Sequence, residues 1–65
     1  MQVDHLKIKA FRESKGLEHT DLAKAADLGK RRIQQIEQGK LISLNLNIAK
    51  AIARRLGVRL EDIAK

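Results

Sequence analysis

Three of the four glycines divide this chain into short segments. Gly16, Gly39 and Gly57 each follow a stretch of helical periodicity and stand one or two positions before an apolar residue. Glycine adopts the left-handed backbone conformation without the steric cost of a Cβ atom, so this placement is typical of helix C-termini. The chain contains no proline, and only residues 41–47 alternate in the manner of a strand. The sequence therefore predicts short helices joined by tight turns.

The spacing of apolar residues predicts five helices, which cover about residues 4–15, 20–26, 30–38, 45–56 and 60–64. Asp4 and Asn45 are favourable N-caps for the first and fourth helices. The fourth helix has the clearest buried stripe, with apolar residues at i, i+3, i+4 and i+7: Ala49, Ile52, Ala53 and Leu56. The other expected core residues are Ile8 and Phe11 with support from Leu6 or Ala10, then Leu22, Ala23, Ala26, Ile33, Ile36, Leu60 and Ile63. The expected fold is all-α, a compact bundle of five short helices in a single domain over residues 1–65.

Composition excludes several classes of protein. The 65 residues include no cysteine, and two histidines cannot close a zinc site alone, so no metal or other cofactor is expected. The acids are scattered, neither histidine has a candidate nucleophile nearby, and no Gly-rich phosphate loop exists, so no enzyme is expected. No apolar run approaches 18 residues and no signal peptide is recognisable. The expected location is the cytoplasm, with no membrane partner.

Charge indicates a polyanionic partner. Fourteen Lys and Arg against eight Asp and Glu give a net charge of +6. One Phe and no Trp or Tyr leave no platforms for stacking splayed bases, which weighs against single-stranded DNA and most RNA-recognition modules. Duplex DNA remains. The alternative is a small protein whose lysines serve solubility alone.

The third predicted helix carries the residues suited to reading DNA. Its surface consists of Lys30, Arg31, Arg32, Gln34 and Gln35, all long side chains rich in donors. Arg and Lys match guanine O6 and N7, and Gln matches adenine N6 and N7, so this is an inventory for the major groove. A merely solvated helix face is the alternative, but such faces usually mix Glu with Lys in i,i+4 pairs. This face has no acid before position 37.

Five motifs together resemble the helix-turn-helix domain of phage lambda-type repressors and Cro proteins, often called XRE-type. The motifs are Arg12-Glu13-Ser14-Lys15-Gly16-Leu17, Asp21-Leu22-Ala23-Lys24-Ala25-Ala26, Ile33-Gln34-Gln35-Ile36-Glu37-Gln38-Gly39-Lys40, Ile52-Ala53-Arg54-Arg55-Leu56-Gly57-Val58 and Leu60-Glu61-Asp62-Ile63. The resemblance spans about residues 6–63, and the order and spacing of all five motifs make it specific.

The resemblance implies a helix-turn-helix at about residues 19–38 whose third helix enters the major groove. It assigns base contacts to Lys30, Arg31 and Gln35, with Gln34 at the margin. It assigns phosphate contacts to two regions, the start of helix two and the turn after helix three, here His19, Thr20, Gln38 and Lys40, with Arg32 as a further candidate. It also implies a structural ion pair between Arg12 and Glu37.

The chain departs from the family pattern at several positions. His19 stands where the family usually has Gln, and an exposed histidine without a phosphate role is the alternative there. Asp27 replaces the usual turn glycine, and Gly29 replaces a Ser or Thr cap. The proline common before helix four is missing, and the segment at residues 41–44 is about one residue longer than usual.

The same segment is the expected dimer interface, because residues 41–46 crowd four large apolar side chains into a loop and a helix start. Leu41 and Ile42 are expected to be partly exposed and intermolecular. Leu44 is assigned to the interface, with sealing of the core as the alternative, and Leu46 is expected to seal the core. The resemblance adds two interface residues near the end of the chain, Val58 and Arg59.

The expected function is a sequence-specific duplex-DNA-binding transcriptional regulator, a Cro-like repressor of phage or prophage type in a bacterial host. It would act as a homodimer on a pseudo-palindromic operator, weakly associated off DNA, with no small-molecule ligand. A compact antitoxin or a restriction–modification controller would share this pattern. The alternative of a different class is a helical protein-interaction module that keeps the fold without reading DNA.

Overall fold

The computed structural model describes all 65 residues. Its helices begin and end beside their capping residues. The five helices are α1 (His5–Ser14), α2 (His19–Ala26), α3 (Lys30–Glu37), α4 (Leu46–Leu56) and α5 (Leu60–Ile63). Asp4 Oδ1 accepts a hydrogen bond from the amide of Leu6 at 3.1 Å, and Asn45 Oδ1 accepts one from the amide of Ile48 at 2.9 Å. The all-helical fold predicted from the sequence is confirmed, with helix ends displaced by one residue. None of the helices is long and apolar enough to cross a membrane.

One hydrophobic core lies where the helices meet. α2 packs against both α3 and α4, α1 packs against α3 and α5, and α5 packs against α4. Twelve apolar residues are buried there: Val3, Ile8, Leu22, Ala23, Ile33, Ile36, Leu44, Ala49, Ile52, Ala53, Leu56 and Ile63. The stripe predicted on α4 is wholly part of this core. Phe11, Ala26 and Leu60 are partly buried and pack against it.

Two expectations about the core are wrong. Leu6 is 66% exposed and Ala10 is exposed, so neither supports Ile8 in the core. The reason is that Ile8 and Arg12, four residues apart, set the inward face of α1, and positions two residues from Ile8 fall on the other side of the helix.

Leu46 is also not the core residue that was predicted. Its side chain is 48% exposed in the first turn of α4. Leu44, just before the helix, is buried in the core instead, with 8% of its surface exposed. The apolar surface at this point is therefore divided between one buried leucine and one exposed leucine.

An N-terminal clasp, which the sequence did not predict, joins three distant parts of the chain. In it, residues 1–4 lie between residues 42–44 and residues 63–65, with antiparallel bridges from Gln2 to Ser43 and from Val3 to Ala64. Five hydrogen bonds hold it. Four join backbone amides to carbonyls at 2.8–3.1 Å: Val3 N to Ile42 O, Leu44 N to Met1 O, Asp4 N to Ile63 O and Lys65 N to Gln2 O. In the fifth, the N-terminal ammonium of Met1 donates to the carbonyl of Leu44 at 2.6 Å. The strand-like alternation at residues 41–47 was the only sequence signal of this pairing.

We expect Val3→Ala to lower the free energy of unfolding by about 2 kcal/mol, because it removes two methylene equivalents from a fully buried side chain and leaves a cavity. The matched control is Val58→Ala, the same deletion at a half-buried position. Urea unfolding followed by circular dichroism measures both. Equal losses in the two variants would mean that the clasp adds little to the core.

Candidate nucleic-acid interface

A tight turn sets α3 against α2. Asp27 adopts the left-handed conformation at the C-terminus of α2, with φ of 56°, and is the one non-glycine residue with positive φ. The amide of Leu28 donates to the carbonyl of Ala23 at 2.8 Å, which closes the turn. Asp tolerates this conformation better than most residues. The chain thus forms the turn without the glycine usual in the family it resembles.

α3 presents long donor side chains to solvent along one side. Ile33 and Ile36 are buried, and they anchor the helix in the core. The positions predicted to read bases differ in exposure, because Lys30 and Arg31 are exposed whereas Gln34 and Gln35 are half-buried. Arg32, predicted to contact phosphate, is exposed as well. The N-terminal half of α3 is therefore its most accessible and most basic part.

The turn after α3 holds a further exposed cation. The amide of Lys40 donates to the carbonyl of Gln35 at 3.0 Å, and the Lys40 side chain is exposed. Gln38 is exposed at the C-cap of α3, and Thr20 is exposed in the first turn of α2. These three side chains are accessible at the two places where phosphate contacts were predicted.

A buried ion pair joins α1 to α3. Arg12 Nε donates to Glu37 Oε2 at 2.6 Å, and Arg12 Nη2 donates to Glu37 Oε1 at 3.0 Å. The two side chains are 10% and 5% exposed. The third donor, Arg12 Nη1, reaches the carbonyl of Leu17 at 2.9 Å in the turn before α2. The hydrogen bond to Glu37 raises the pKa of Arg12, against the opposite effect of burial, so the guanidinium stays charged wherever the protein is folded.

His19 turns toward the same carboxylate rather than away from the protein. Its Nε2 atom lies 3.3 Å from Glu37 Oε1, and its side chain is 28% exposed. Glu37 therefore meets α1 through Arg12 and α2 through His19. The Nδ1 atom of His19 makes no hydrogen bond within the chain, so this atom is the one left for the predicted phosphate contact.

A polar cleft of about 360 Å³ opens above this cluster, between α1 and the helix-turn-helix. No hydrophobic residue lines it, and its walls are Lys9, Arg12, Glu13, His19, Gln34, Glu37 and Gln38. Sequence reasoning missed Lys9 and Glu13. The available signal was their spacing on α1. Lys9 lies three residues before Arg12 and four residues before Glu13, so it is a helix-surface neighbour of both. Gln34, predicted to lie at the margin of base reading, lines this cleft.

His5 is a third residue that sequence reasoning missed. Its imidazole ring covers Gly39, so that a Cβ atom at Gly39 would lie 3.1 Å from the ring atoms Cε1 and Nε2. Gly39 also has φ of +79°. Both its conformation and the nearby ring therefore make a side chain at this position unfavourable, and the start of α1 lies against the turn that carries Lys40.

The residues predicted to form a dimer interface are not equally accessible. Leu41, Ile42 and Val58 are half-buried, so each has surface left for a partner. Leu44 lies in the core of its own chain and offers little. Arg59 is exposed, and its Nε atom lies 3.3 Å from Glu61 and 3.7 Å from Asp62, both close to it in sequence.

No three His, Cys, Asp or Glu side chains come together in a way that would hold a metal ion. Every buried side-chain nitrogen and oxygen has a hydrogen-bond partner within the protein. The buried polar atoms of the cluster around Glu37 are thus satisfied by one another and by the carbonyl of Leu17.

Comparison with known proteins agrees with this geometry. A model of the helix-turn-helix family matches residues 8–63. The fold is similar to the crystal structure of the restriction-modification controller protein C.AhdI from Aeromonas hydrophila, with a TM-score of 0.79, 21% identity, and coverage of 89% of this chain and 86% of that one. At this identity the likeness concerns the fold alone. No protein with a curated description matches the sequence.

We expect Glu37→Gln to lower the free energy of unfolding by about 3 kcal/mol, because it leaves the buried Arg12 guanidinium without a countercharge. For a domain of this size the melting temperature should fall by more than about 10 °C. The control is Glu61→Gln, which neutralises a carboxylate in an exposed pair and should melt close to the parent. A Glu37→Gln protein that melts within a degree or two of the parent would show that the pair contributes little.

Proposed function

The chain belongs to the XRE-type helix-turn-helix family, a family of DNA-binding transcription regulators, and from this premise we propose that it is a sequence-specific repressor of the Cro type. In this proposal α3 enters the major groove of duplex DNA, and a homodimer occupies a pseudo-palindromic operator in the cytoplasm of a phage- or prophage-bearing bacterium. The protein represses by occupancy, without chemistry and without a small-molecule ligand.

The observation that carries the proposal is the accessible side of α3. Lys30 and Arg31 stand exposed at its N-terminal end, and Gln35 lies one turn further along the same side. These residues are the donors that match base edges in the major groove. The one acid of α3, Glu37, is buried in its ion pair, so no carboxylate on this helix opposes an approaching phosphate backbone.

Flanking groups support the approach of the DNA backbone on both sides of α3. Gln38 and Lys40 follow the helix, and Thr20 lies in the first turn of α2. Phosphate contacts of this kind fix the register of a protein on the duplex but do not read sequence. We assign His19 and Arg32 to the same role. His19 donates to a phosphate from Nδ1 only when both ring nitrogens carry protons, because Nε2 donates to Glu37.

Dimerisation is part of the proposal because one helix-turn-helix buries too little surface for specific affinity. Two copies on one face of the duplex would place their α3 helices about one helical turn, or 34 Å, apart. We assign the interface to Leu41, Ile42, Val58 and Arg59, with at most a marginal part for Leu44.

A protein-interaction module with the same fold is the competing function. Such a module would have no need for exposed donors along α3, nor for an uncompensated basic surface. Mobility shift with random duplex DNA at low salt distinguishes the two. We expect binding that weakens steeply as salt rises, in proportion to the number of phosphates contacted. Absence of any shift at low salt would favour the interaction module, and selection from a random duplex library would identify the operator.

Substitutions at different residues should distinguish base reading from phosphate binding. Replacing Arg31 or Gln35 with Ala should weaken operator binding by about 1–3 kcal/mol and relax the preference at one position of the operator. Lys40→Ala should weaken binding to all sequences alike and reduce the salt slope by about one. Mobility-shift titrations on operator and random duplexes measure both effects. If Gln35→Ala and Lys40→Ala cause the same sequence-independent loss, the assignment of Gln35 to base reading is wrong.

A further inference from the structure

One stretch of this basic chain carries no charge. Residues 41–49 contain only Leu, Ile, Ser, Asn and Ala, whereas about a third of all residues are charged. Two copies of a chain with net charge +6 repel each other over most of their surfaces. The one charged group bonded to this stretch is the N-terminal ammonium of Met1, which donates to the carbonyl of Leu44 at 2.6 Å on the side away from the Ser43 backbone groups. A second copy can therefore approach the outward side of the stretch without meeting a charged side chain of residues 41–49.

The same stretch exposes an unpaired edge of backbone. Ile42 and Leu44 direct their backbone groups inward, where they bond to residues 1–3 of the clasp. Ser43 lies between them, and neither its N–H nor its C=O makes a hydrogen bond within the chain. Because successive residues of an extended segment point their backbone groups to opposite sides, the Ser43 groups face outward. Ser43 is exposed.

This edge lacks the usual protection against pairing. Natural edge strands are blocked by charged side chains, by proline, or by a covering helix or loop. Here no charge and no proline occur between Leu41 and Ala49. The neighbouring apolar side chains are half-buried Leu41 and Ile42, and Leu46 is 48% exposed. A donor, an acceptor and apolar surface thus lie together without a partner.

We propose that a second copy of the chain pairs with this edge, antiparallel, about a twofold axis at Ser43. In an antiparallel pair, residues directly opposite each other can exchange both N–H···O bonds. Ser43 of one copy therefore satisfies both backbone groups of Ser43 in the other, as an isologous interface requires. In this register Ile42 stands opposite Leu44 of the second copy, whose side chain stays in its own core. The clasps of the two copies become one continuous six-segment sheet.

The inference rests on the dimer of the proposed function and specifies the contact that forms it. Two hydrogen bonds and a few apolar side chains bury much less than a stable interface requires. The dimer is therefore weak at low concentration, and it is completed when both copies occupy adjacent half-sites on DNA.

The test compares Ser43→Pro with Ser43→Ala. Proline removes the outward N–H without touching the inward bonds of Ile42 and Leu44, and it is tolerated on edge strands. Alanine removes only the hydroxyl and keeps the amide. Sedimentation over a range of concentrations up to about 1 mM, a level suited to weak association, should show self-association of the parent and of Ser43→Ala. Ser43→Pro should associate about 30-fold more weakly, because both symmetry-related donors are lost.

A second measurement keeps the test valid if Ser43→Pro unfolds. Hydrogen exchange at the Ser43 amide of the parent should slow as concentration rises, while exchange at exposed amides of α2 stays constant. Equal association of the parent and a folded Ser43→Pro protein, or Ser43 exchange that does not depend on concentration, overturns the proposal. These measurements need no DNA. Failure of the parent to bind duplex DNA would instead count against the proposed function.

Discussion

The carboxylate of Glu37 is the point on which the arrangement of the DNA-facing helices depends. It belongs to α3, it pairs with Arg12 of α1, and it lies beside His19 at the start of α2. Arg12 in turn holds the carbonyl of Leu17, so the turn between α1 and α2 is tied to the same group. Buried ions lose their hydration, and this loss offsets much of their attraction. The pair therefore adds little net stability, but it fixes the geometry of these helices, and removing either partner would be costly.

The clasp performs a comparable role for the segment between α3 and α4. This segment is longer than the family pattern and lacks its usual proline, which would have restricted the backbone. Pairing of residues 42–44 with residues 1–3 restrains it instead. The restraint reaches the turn that holds Lys40, since His5, directly after the clasp, covers Gly39. Backbone hydrogen bonds to the N-terminal segment thus hold a loop that proline would otherwise stiffen.

The sequence predicts local structure well and distant pairing poorly. The five helices and the stripe of α4 follow from spacing, capping residues and glycine positions, which act over a few residues. The family resemblance alone predicts the ion pair between Arg12 and Glu37. By contrast, the clasp joins residues 1–4 to segments about 40 and about 60 residues away, and nothing in the composition of residues 1–3 identifies their partners. The exposure of Leu46 and the inward orientation of His19 likewise depend on which other side chains pack beside them in the folded chain.

Most contacts in this bundle connect residues close in sequence, and helical proteins of this kind fold rapidly because little loop entropy is lost before contacts form. The clasp is the exception, since it joins both chain ends to the α3–α4 segment across long sequence separations. We therefore expect it to form late in folding and to open early in the native state. An opened clasp frees the inward backbone groups of Ile42 and Leu44, which the N-terminal segment of a neighbouring molecule can satisfy equally well. Exchange of that segment between molecules is thus a route to domain swapping that the helices themselves do not provide.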